Sequence, residues 1–298
     1  MSFFIGLDIG GSKIAGAVFD ARGKEIAQHV MPTPANYAGF FTSCKKIVEM
    51  LDRGHEEKAP IGIGLAGVVN RDKGTVFASN ISYLKSHPIQ KDFEKAFGRD
   101  VRMANDADCA ALSEATDGAG KGHSSVFCLI MGTGIGGGLV VDQKIVEGVQ
   151  GLAGEFGHLP LPFREYTDGI IAPCLCKQKG CIEQSIGGSA LARLYENMTG
   201  HKAGAEQVGN LARKNDPEAL RVMDQFYTTV AKAMVTVIHM FDPEIIVVSG
   251  GLSNLPGLYD EVPKRWGQYA LQDKLKTKFV QAKHGAISGL RGAAALWR

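Results

Sequence analysis

Apolar residues fall in short continuous runs and in helical periods that alternate along the chain. FFIGLDIGG (Phe3–Gly11) is an apolar run that ends in a glycine pair, the mark of a buried strand entering a turn. Lys13 follows the turn and Ile14–Asp20 is a second apolar strand. The opening therefore predicts a hairpin whose turn holds Gly10, Gly11 and Ser12. The design recurs in SVFCLIMGTGIGGGLVVDQK (Ser125–Lys144), with strand Val126–Met131, a glycine-rich turn, strand Gly138–Val141 and a further turn at Asp142 and Gln143. Two such hairpins, one opening each half, indicate an internal duplication. The boundary falls near the polar, glycine-rich DGAGKGH (Asp117–His123). Between the hairpins the pattern predicts a helix from Gly39 to about Arg53, a strand IGIGLAG (Ile61–Gly67), and a strand, turn and helix over Met103–Ala115. After the second hairpin, a helix over Val222–Met240 stops at Asp242-Pro243. The strand EIIVVSGG (Glu244–Gly251) follows, and GLRGAAALWR closes the chain as a short helix. Alternating β and α elements predict an α/β fold.

The length of 298 residues suits one large domain or two ordinary ones. A net charge of +2, with no basic run or aromatic-interleaved stripe, argues against nucleic acid as a partner. MSFFIGLDIGG has no charged n-region and no long apolar core, so it does not read as a signal peptide. The longest apolar stretch, AMVTVIHMF (Ala233–Phe241), is too short for a bilayer and contains a histidine, so no membrane association is expected. These features indicate a cytoplasmic protein with reduced thiols. Cys44, Cys109 and Cys128 stand singly among apolar or helical residues and read as small buried side chains. PCLCKQKGC (Pro173–Cys181) holds the other three. A disulfide would leave an odd thiol, and a redox pair would not explain the third cysteine. Cys174, Cys176 and Cys181, with His158 sixteen residues before Cys174, form a Cys3His set suited to a closed structural zinc site.

Gly132-x-Gly134-x-x-Gly137 matches the dinucleotide fingerprint, but that fingerprint needs a helix directly after the glycines, and a β-rich run follows here. No Walker A loop occurs. What remains is a glycine turn between strands: either a plain hairpin, or a loop whose N–H groups face phosphate oxygens. Asp106, near a helix start, reads as an N-cap, as a reactive carboxylate, or as both.

DIGGSK (Asp8–Lys13), AND (Ala104–Asp106), GTGIGGG (Gly132–Gly138), GEFGH (Gly154–His158), CLCKQKGCIE (Cys174–Glu183) and DPEIIVVSGG (Asp242–Gly251) occur in that order. Together they resemble the ROK family of sugar kinases, repressors and open reading frames, over essentially the whole chain. With GLAGVVNRDKGTVFASN (Gly64–Asn80), the run is most similar to the family's bacterial N-acetyl-D-glucosamine kinases. The resemblance implies two actin-like (ribonuclease H-like) domains with a cleft between them. Residues 1–118 would form the first, with a C-terminal helix at about 286–298 packing back on it, and 119–285 the second, carrying zinc. It also implies ATP-dependent phosphorylation of the sugar 6-hydroxyl.

The resemblance carries roles onto particular residues. Asp106 matches the catalytic base, and Asn105 would hold neighbouring hydroxyls. Glu155, His158 and Glu183 match sugar contacts, and Gly67, Ser79 and Asn80 match positions near the N-acetyl and hydroxyl groups. Asp8 would serve Mg²⁺ through water. Gly10, Gly11, Ser12 and Lys13 would approach the ATP phosphates from one domain and Gly132, Thr133 and Gly134 from the other, with Gly250 and Gly251 beside the nucleoside. Zn²⁺ on His158, Cys174, Cys176 and Cys181 would fix Glu155 and Glu183 as a sugar floor; the alternative is a remote staple. Asp108 is a rival acid, but two residues along a helix it points elsewhere. Lys177 stands where glycine is usual, and Ser12 where threonine is. Glucose and N-acetylmannosamine are the rival substrates. A repressor would carry a helix-turn-helix before the first strand, and a degenerate binding module would be expected to have lost Asp106 and Asp8. Homodimers are common in the family.

Overall fold

A computed structural model describes residues 3–55, 57–70, 73–77, 81–85 and 87–298. In chain order, β1 (Phe3–Ile9), β2 (Lys13–Asp20) and β3 (Glu25–Pro32) lead to α1 (Tyr37–Leu51). Then come β4 (Ile61–Leu65), β5 (Val68–Asn70), β6 (Thr75–Phe77), α2 (Ile89–Phe97), β7 (Val101–Asn105) and α3 (Asp106–Thr116). The second half opens with β8 (Ser125–Met131), β9 (Ile135–Val141) and β10 (Lys144–Ile145). It continues with α4 (Glu183–Ile186), α5 (Gly188–Thr199), α6 (Ala205–Arg213), α7 (Pro217–Phe241), β11 (Ile245–Ser249), α8 (Leu258–Arg265), β12 (Lys278–Gln281) and α9 (Ser288–Ala295).

Among the described residues the strands form two five-stranded sheets of the same order. The first runs β3-β2-β1-β4-β7 and the second β10-β9-β8-β11-β12. In the first, β1 pairs antiparallel with β2 and parallel with β4, and β4 pairs parallel with β7. In the second, β11 pairs parallel with both β8 and β12. The repeated order is the duplication that the two hairpins signalled. Parallel pairs need crossovers, which is why helical segments separate β4, β7, β11 and β12 from their neighbours. β4 and β11 are buried along their whole length, which explains their continuous apolar runs. The edge strand β3 has no buried residue, so it left no apolar run to read.

The chain divides into two compact units. The first comprises Met1–Gly122, Gly138–Ala153 and Ala286–Arg298; the second comprises His123–Gly137 and Gly154–Gly285. The division passes through β9, so Gly138–Ala153 belongs to the first unit, whereas a single cut after 118 placed it in the second half. Gly138 accounts for this: a side chain there would put Cβ 2.5 Å from the Ala107 carbonyl of α3.

In the first unit, Ile5, Leu7 and Ile9 of β1 and Ile61, Ile63 and Leu65 of β4 share a core with Phe40 and Ile47 of α1 and Phe93 of α2. α9 packs against β1, β4 and α3. The approach is so close that a Cβ at Gly62 would lie 1.7 Å from the Ala293 carbonyl, and one at Gly292 1.6 Å from the Cys109 carbonyl. Trp297 Nε1 donates to the Ile61 carbonyl (2.7 Å), and Ser288 Oγ donates to the buried Glu114 (2.9 Å).

In the second unit, α7 is capped by Asp216, whose side chain accepts from Ala219 N–H. Lys232, fully buried on α7, donates to both oxygens of the buried Asp168 (3.1 and 2.9 Å) and to Glu165 (2.9 Å). Among the described residues, no helix is long and apolar enough to cross a membrane.

Gly292→Ala is expected to destabilise the protein by more than about 3 kcal/mol, because a backbone carbonyl occupies the space of the new methyl. Denaturant unfolding measures it, and a loss below about 1 kcal/mol would contradict the close packing of α9.

Candidate active site and metal cluster

In the first unit, the ends of the parallel strands gather the polar groups. Asp8 lies next to the end of β1, in register with Gly64 of β4, and Asn105 ends β7 in register with Leu65. The carboxyl ends of parallel strands are where α/β sheets present ligand groups. Asn105, not Asp106, caps α3: its side-chain oxygen accepts from Ala107 N–H (2.8 Å), and its amide donates to the Gly67 carbonyl (3.0 Å). Gly67 has φ 137°, a backbone state that favours glycine. Asp106 is the first helical residue, and one of its oxygens also accepts from Ala107 N–H (2.9 Å). Burial raises the Asp106 carboxyl above its ordinary range, while backbone N–H groups oppose the rise. Burial likewise pushes Asp8 up to about 6, helped by the nearby Asp106 and opposed by Lys13. Asp108 is buried within α3. The turn at Gly10–Ser12 is tied to β3: Thr33 Oγ1 donates to the Gly10 carbonyl (2.7 Å) and Thr33 N–H to the Ser12 carbonyl (3.0 Å). Ser79 and Asn80 lie outside the described residues.

In the second unit, a segment with little regular structure runs from Gly154 to Ile182 and carries the cluster. The ligand atoms of His158, Cys174, Cys176 and Cys181 all lie within 4.8 Å of one another. Cys176 and Cys181 sulfurs are 3.6 Å apart, and Cys174 Sγ is 3.5 Å from His158 Nδ1. With Zn–S near 2.3 Å and Zn–N near 2.0–2.1 Å, a tetrahedron has edges of about 3.8 and 3.6 Å, so the four residues fit a zinc ion. The six cysteines are all unbridged. The other face of the imidazole meets a carboxylate, with Nε2 3.7 Å from Glu155. A carboxylate behind a ligating histidine orients its ring and raises its basicity. Glu183 touches the opposite side of the cluster, with Oε1 3.5 Å from Cys174 Sγ. Lys177 has φ 71°, so a lysine sits in the left-handed conformation that glycine adopts at no steric cost. This is the physical reason glycine suits that position.

The glycine turn lies against the same segment. Gly132 N–H closes on the Gly134 carbonyl (3.0 Å), Ile135 N–H donates to Glu183 Oε2 (3.3 Å), and Gly188 N–H donates to the Gly132 carbonyl (2.8 Å). A Cβ at Gly134 would stand 2.6 Å from Glu183 Oε2, so the turn and the carboxylate lie in close contact. Gly132, Thr133 and Gly251 line a cavity of about 790 Å³, large enough for a nucleotide. Gly250 is not among the lining residues; with φ 86° it turns the chain tightly against the Met131 carbonyl.

Pattern reasoning missed Ser189, Asn210, Arg213 and Asn254 on the walls of this cavity. The glycine pair Gly187-Gly188, which brings α5 to the turn, was the available signal for Ser189. Arg213 bonds Asn210 and the Asn254 carbonyl, a pairing across distant segments that leaves no local motif.

Asp8 binds protons more tightly in the folded chain, at about 6 against 3.8, so its contribution to stability falls as pH rises from about 4 to 6. Asp8→Asn is therefore expected to stabilise the metal-free protein at pH 7.5 by up to about 3 kcal/mol, with the gain vanishing below pH 4. Urea unfolding across pH measures this, and a pH-independent difference would contradict the burial of the charge.

Comparison with known proteins agrees across the chain. The ROK family matches residues 4–298. An N-acetyl-D-glucosamine kinase of Pectobacterium atrosepticum is 36% identical, over 98% of each chain. A ROK hexokinase from Thermus thermophilus superposes with a TM-score of 0.85 at 32% identity, covering 98% of this chain and 96% of that one. A ROK family glucokinase from Streptomyces griseus, in complex with glucose and AMPPNP, superposes at 0.81 with 31% identity over 99% of each chain. Shared sequence, shared fold and the ordered motifs converge: this chain belongs to the ROK family.

Proposed function

We propose that the protein is an ATP-dependent sugar kinase that phosphorylates N-acetyl-D-glucosamine at its 6-hydroxyl, giving N-acetyl-D-glucosamine 6-phosphate and ADP. The observation that carries this is the 36% identity to an N-acetyl-D-glucosamine kinase over 98% of both chains. The carboxylate geometry supports it. Phosphoryl transfer needs an oriented acceptor oxygen and a place for its proton. Asp106 is assigned that proton: Ala107 N–H steadies one oxygen, and the other is left to accept from the sugar hydroxyl. A raised carboxyl is a better match to an alcohol's proton at neutral pH than an ordinary aspartate. As the proton moves to Asp106, the 6-oxygen bonds to the γ-phosphorus and ADP leaves. Asn105, fixed by its two hydrogen bonds, is assigned the neighbouring hydroxyls.

Glu155, His158 and Glu183 are assigned to the sugar, with Gly67, Ser79 and Asn80 toward its N-acetyl side. The cavity at Gly132, Thr133 and Gly251 is assigned to the nucleotide. Gly134 and Gly250 shape the turns beside it, and Gly10, Gly11, Ser12 and Lys13 are assigned to the phosphates. Mg²⁺, when bound, neutralises phosphate charge, and Asp8 is its proposed anchor; a carboxylate raised by burial gains from a cation that restores its charge. Zn²⁺ is the proposed occupant of the Cys3His cluster and supplies a redox-inert clamp with no open position. Free thiols in such a cluster suit a reducing compartment such as the cytoplasm. A homodimer is the proposed assembly.

Glucose is the second candidate substrate, because a glucose-bound ROK glucokinase superposes over 99% of this chain. The two sugars differ at the 2-position, where a few contacts decide selectivity. ADP release with N-acetylglucosamine, N-acetylmannosamine, glucose and no sugar tests the assignment. N-acetylglucosamine is expected to give the highest kcat/KM, rising with pH as Asp106 ionises above the usual carboxylate range. Asp106→Asn is expected to reduce kcat by at least roughly 100-fold. Greater turnover of glucose would move the substrate to the second candidate, and no turnover with any sugar would overturn the kinase assignment.

A further inference from the structure

The Glu183 carboxylate has polar neighbours that the kinase assignment does not require, the Gln184 amide donating to Oε1 (3.4 Å) among them. Its Oε1 lies on the Cys174 sulfur, and its Oε2 accepts from Ile135 N–H at 3.3 Å, directly beneath Gly134. A carboxylate thus holds a backbone amide of the turn whose neighbours, Gly132 and Thr133, line the nucleotide-sized cavity. Phosphate oxygens and a carboxylate are both anions seeking such amides, and they repel each other at short range.

We propose that Glu183 is a gate: without sugar it rests on the Ile135 amide and opposes phosphate at the glycine turn, and a bound sugar draws it away. The proposal rests on the kinase assignment above, in which Glu183 accepts from a sugar hydroxyl. An O–H···O⁻ bond is short, near 2.5–2.7 Å, and outcompetes a 3.3 Å amide contact. The ring of contacts keeps the displacement local. Glu183 opens α4, whose carbonyl accepts from Gly187 N–H (3.1 Å), and the next residue, Gly188, is bonded to Gly132. The backbone stays on the turn while the carboxylate swings on its own torsions. Sugar and triphosphate then bind cooperatively, and ATP is held poorly when no acceptor is present. By linkage, the nucleotide tightens the sugar by the same factor.

The test is calorimetric binding of AMPPNP and of AMP to metal-replete protein, with and without N-acetylglucosamine. In the wild type, sugar is expected to tighten AMPPNP by about tenfold and AMP by clearly less, since AMP brings one phosphate group where AMPPNP brings three. Glu183→Gln without sugar is expected to bind AMPPNP about fivefold or more tighter than wild type, with a smaller change for AMP. Glu183→Asp, which keeps the charge but withdraws it from Ile135, is expected to shift in the same direction. Zinc content and melting temperature show that both variants are folded. Wild-type affinity for AMPPNP in both variants, or weaker affinity, would overturn the gate while leaving the kinase standing. Failure of the wild type to bind either nucleotide, with no sugar turned over, would overturn the kinase assignment and the gate with it.

Discussion

Four candidate ligand atoms within 4.8 Å of one another lie on a segment with little regular structure. From Gly154 to Ile182 only short helical turns and isolated bridges interrupt the irregular backbone. Such a segment cannot hold side chains to the tolerance a binding site demands unless something outside the backbone ties it. Side-chain contacts supply such ties, among them Arg164 Nη1 donating to Ser185 Oγ of α4 (3.1 Å). The buried Lys232 fixes the turn at Tyr166–Asp168 to α7 through Asp168 and Glu165. His158 and the three cysteines lie together, with Glu155 3.7 Å from His158 Nε2 and Glu183 3.5 Å from Cys174 Sγ. Glu155 sits in the irregular segment itself, whereas Glu183 opens α4 at its end.

The two sheets share one order, yet their strand ends carry different chemistry. In the first unit, β1, β4 and β7 lead to Asp8, Gly67 and Asn105-Asp106, so buried carboxylates and an amide collect there. In the second, β8 and β11 lead to the glycine turns at Gly132 and Gly250, so backbone groups collect instead. One topology thus presents buried carboxyls in one unit and glycine backbone in the other.

The parts of this arrangement that were legible in sequence share a physical property: they rest on local patterns. β4 and β11 read as apolar runs because both faces are buried, and the cysteine spacing pointed to three side chains that do lie together with His158. The parts that were not legible depend on residues brought together from afar. β3 has no buried face; β9 starts at Ile135 because glycines hid its first residues; Gly138–Ala153 joins the first unit through a close approach to Ala107. Asp106 read as a possible cap, but the cap is Asn105, one residue earlier. The bond from Ile135 to Glu183 joins two motifs 48 residues apart, and neither alone points to the other.

We propose that the Cys3His cluster, loaded with zinc, builds the sugar site. Calorimetric titration of N-acetylglucosamine into zinc-loaded, chelator-stripped and zinc-restored protein tests it most directly. The account predicts that stripping weakens sugar binding by roughly 10–100-fold and that zinc restores it. Equal sugar affinity in all three samples would contradict it, and would reduce the cluster to a staple remote from the site.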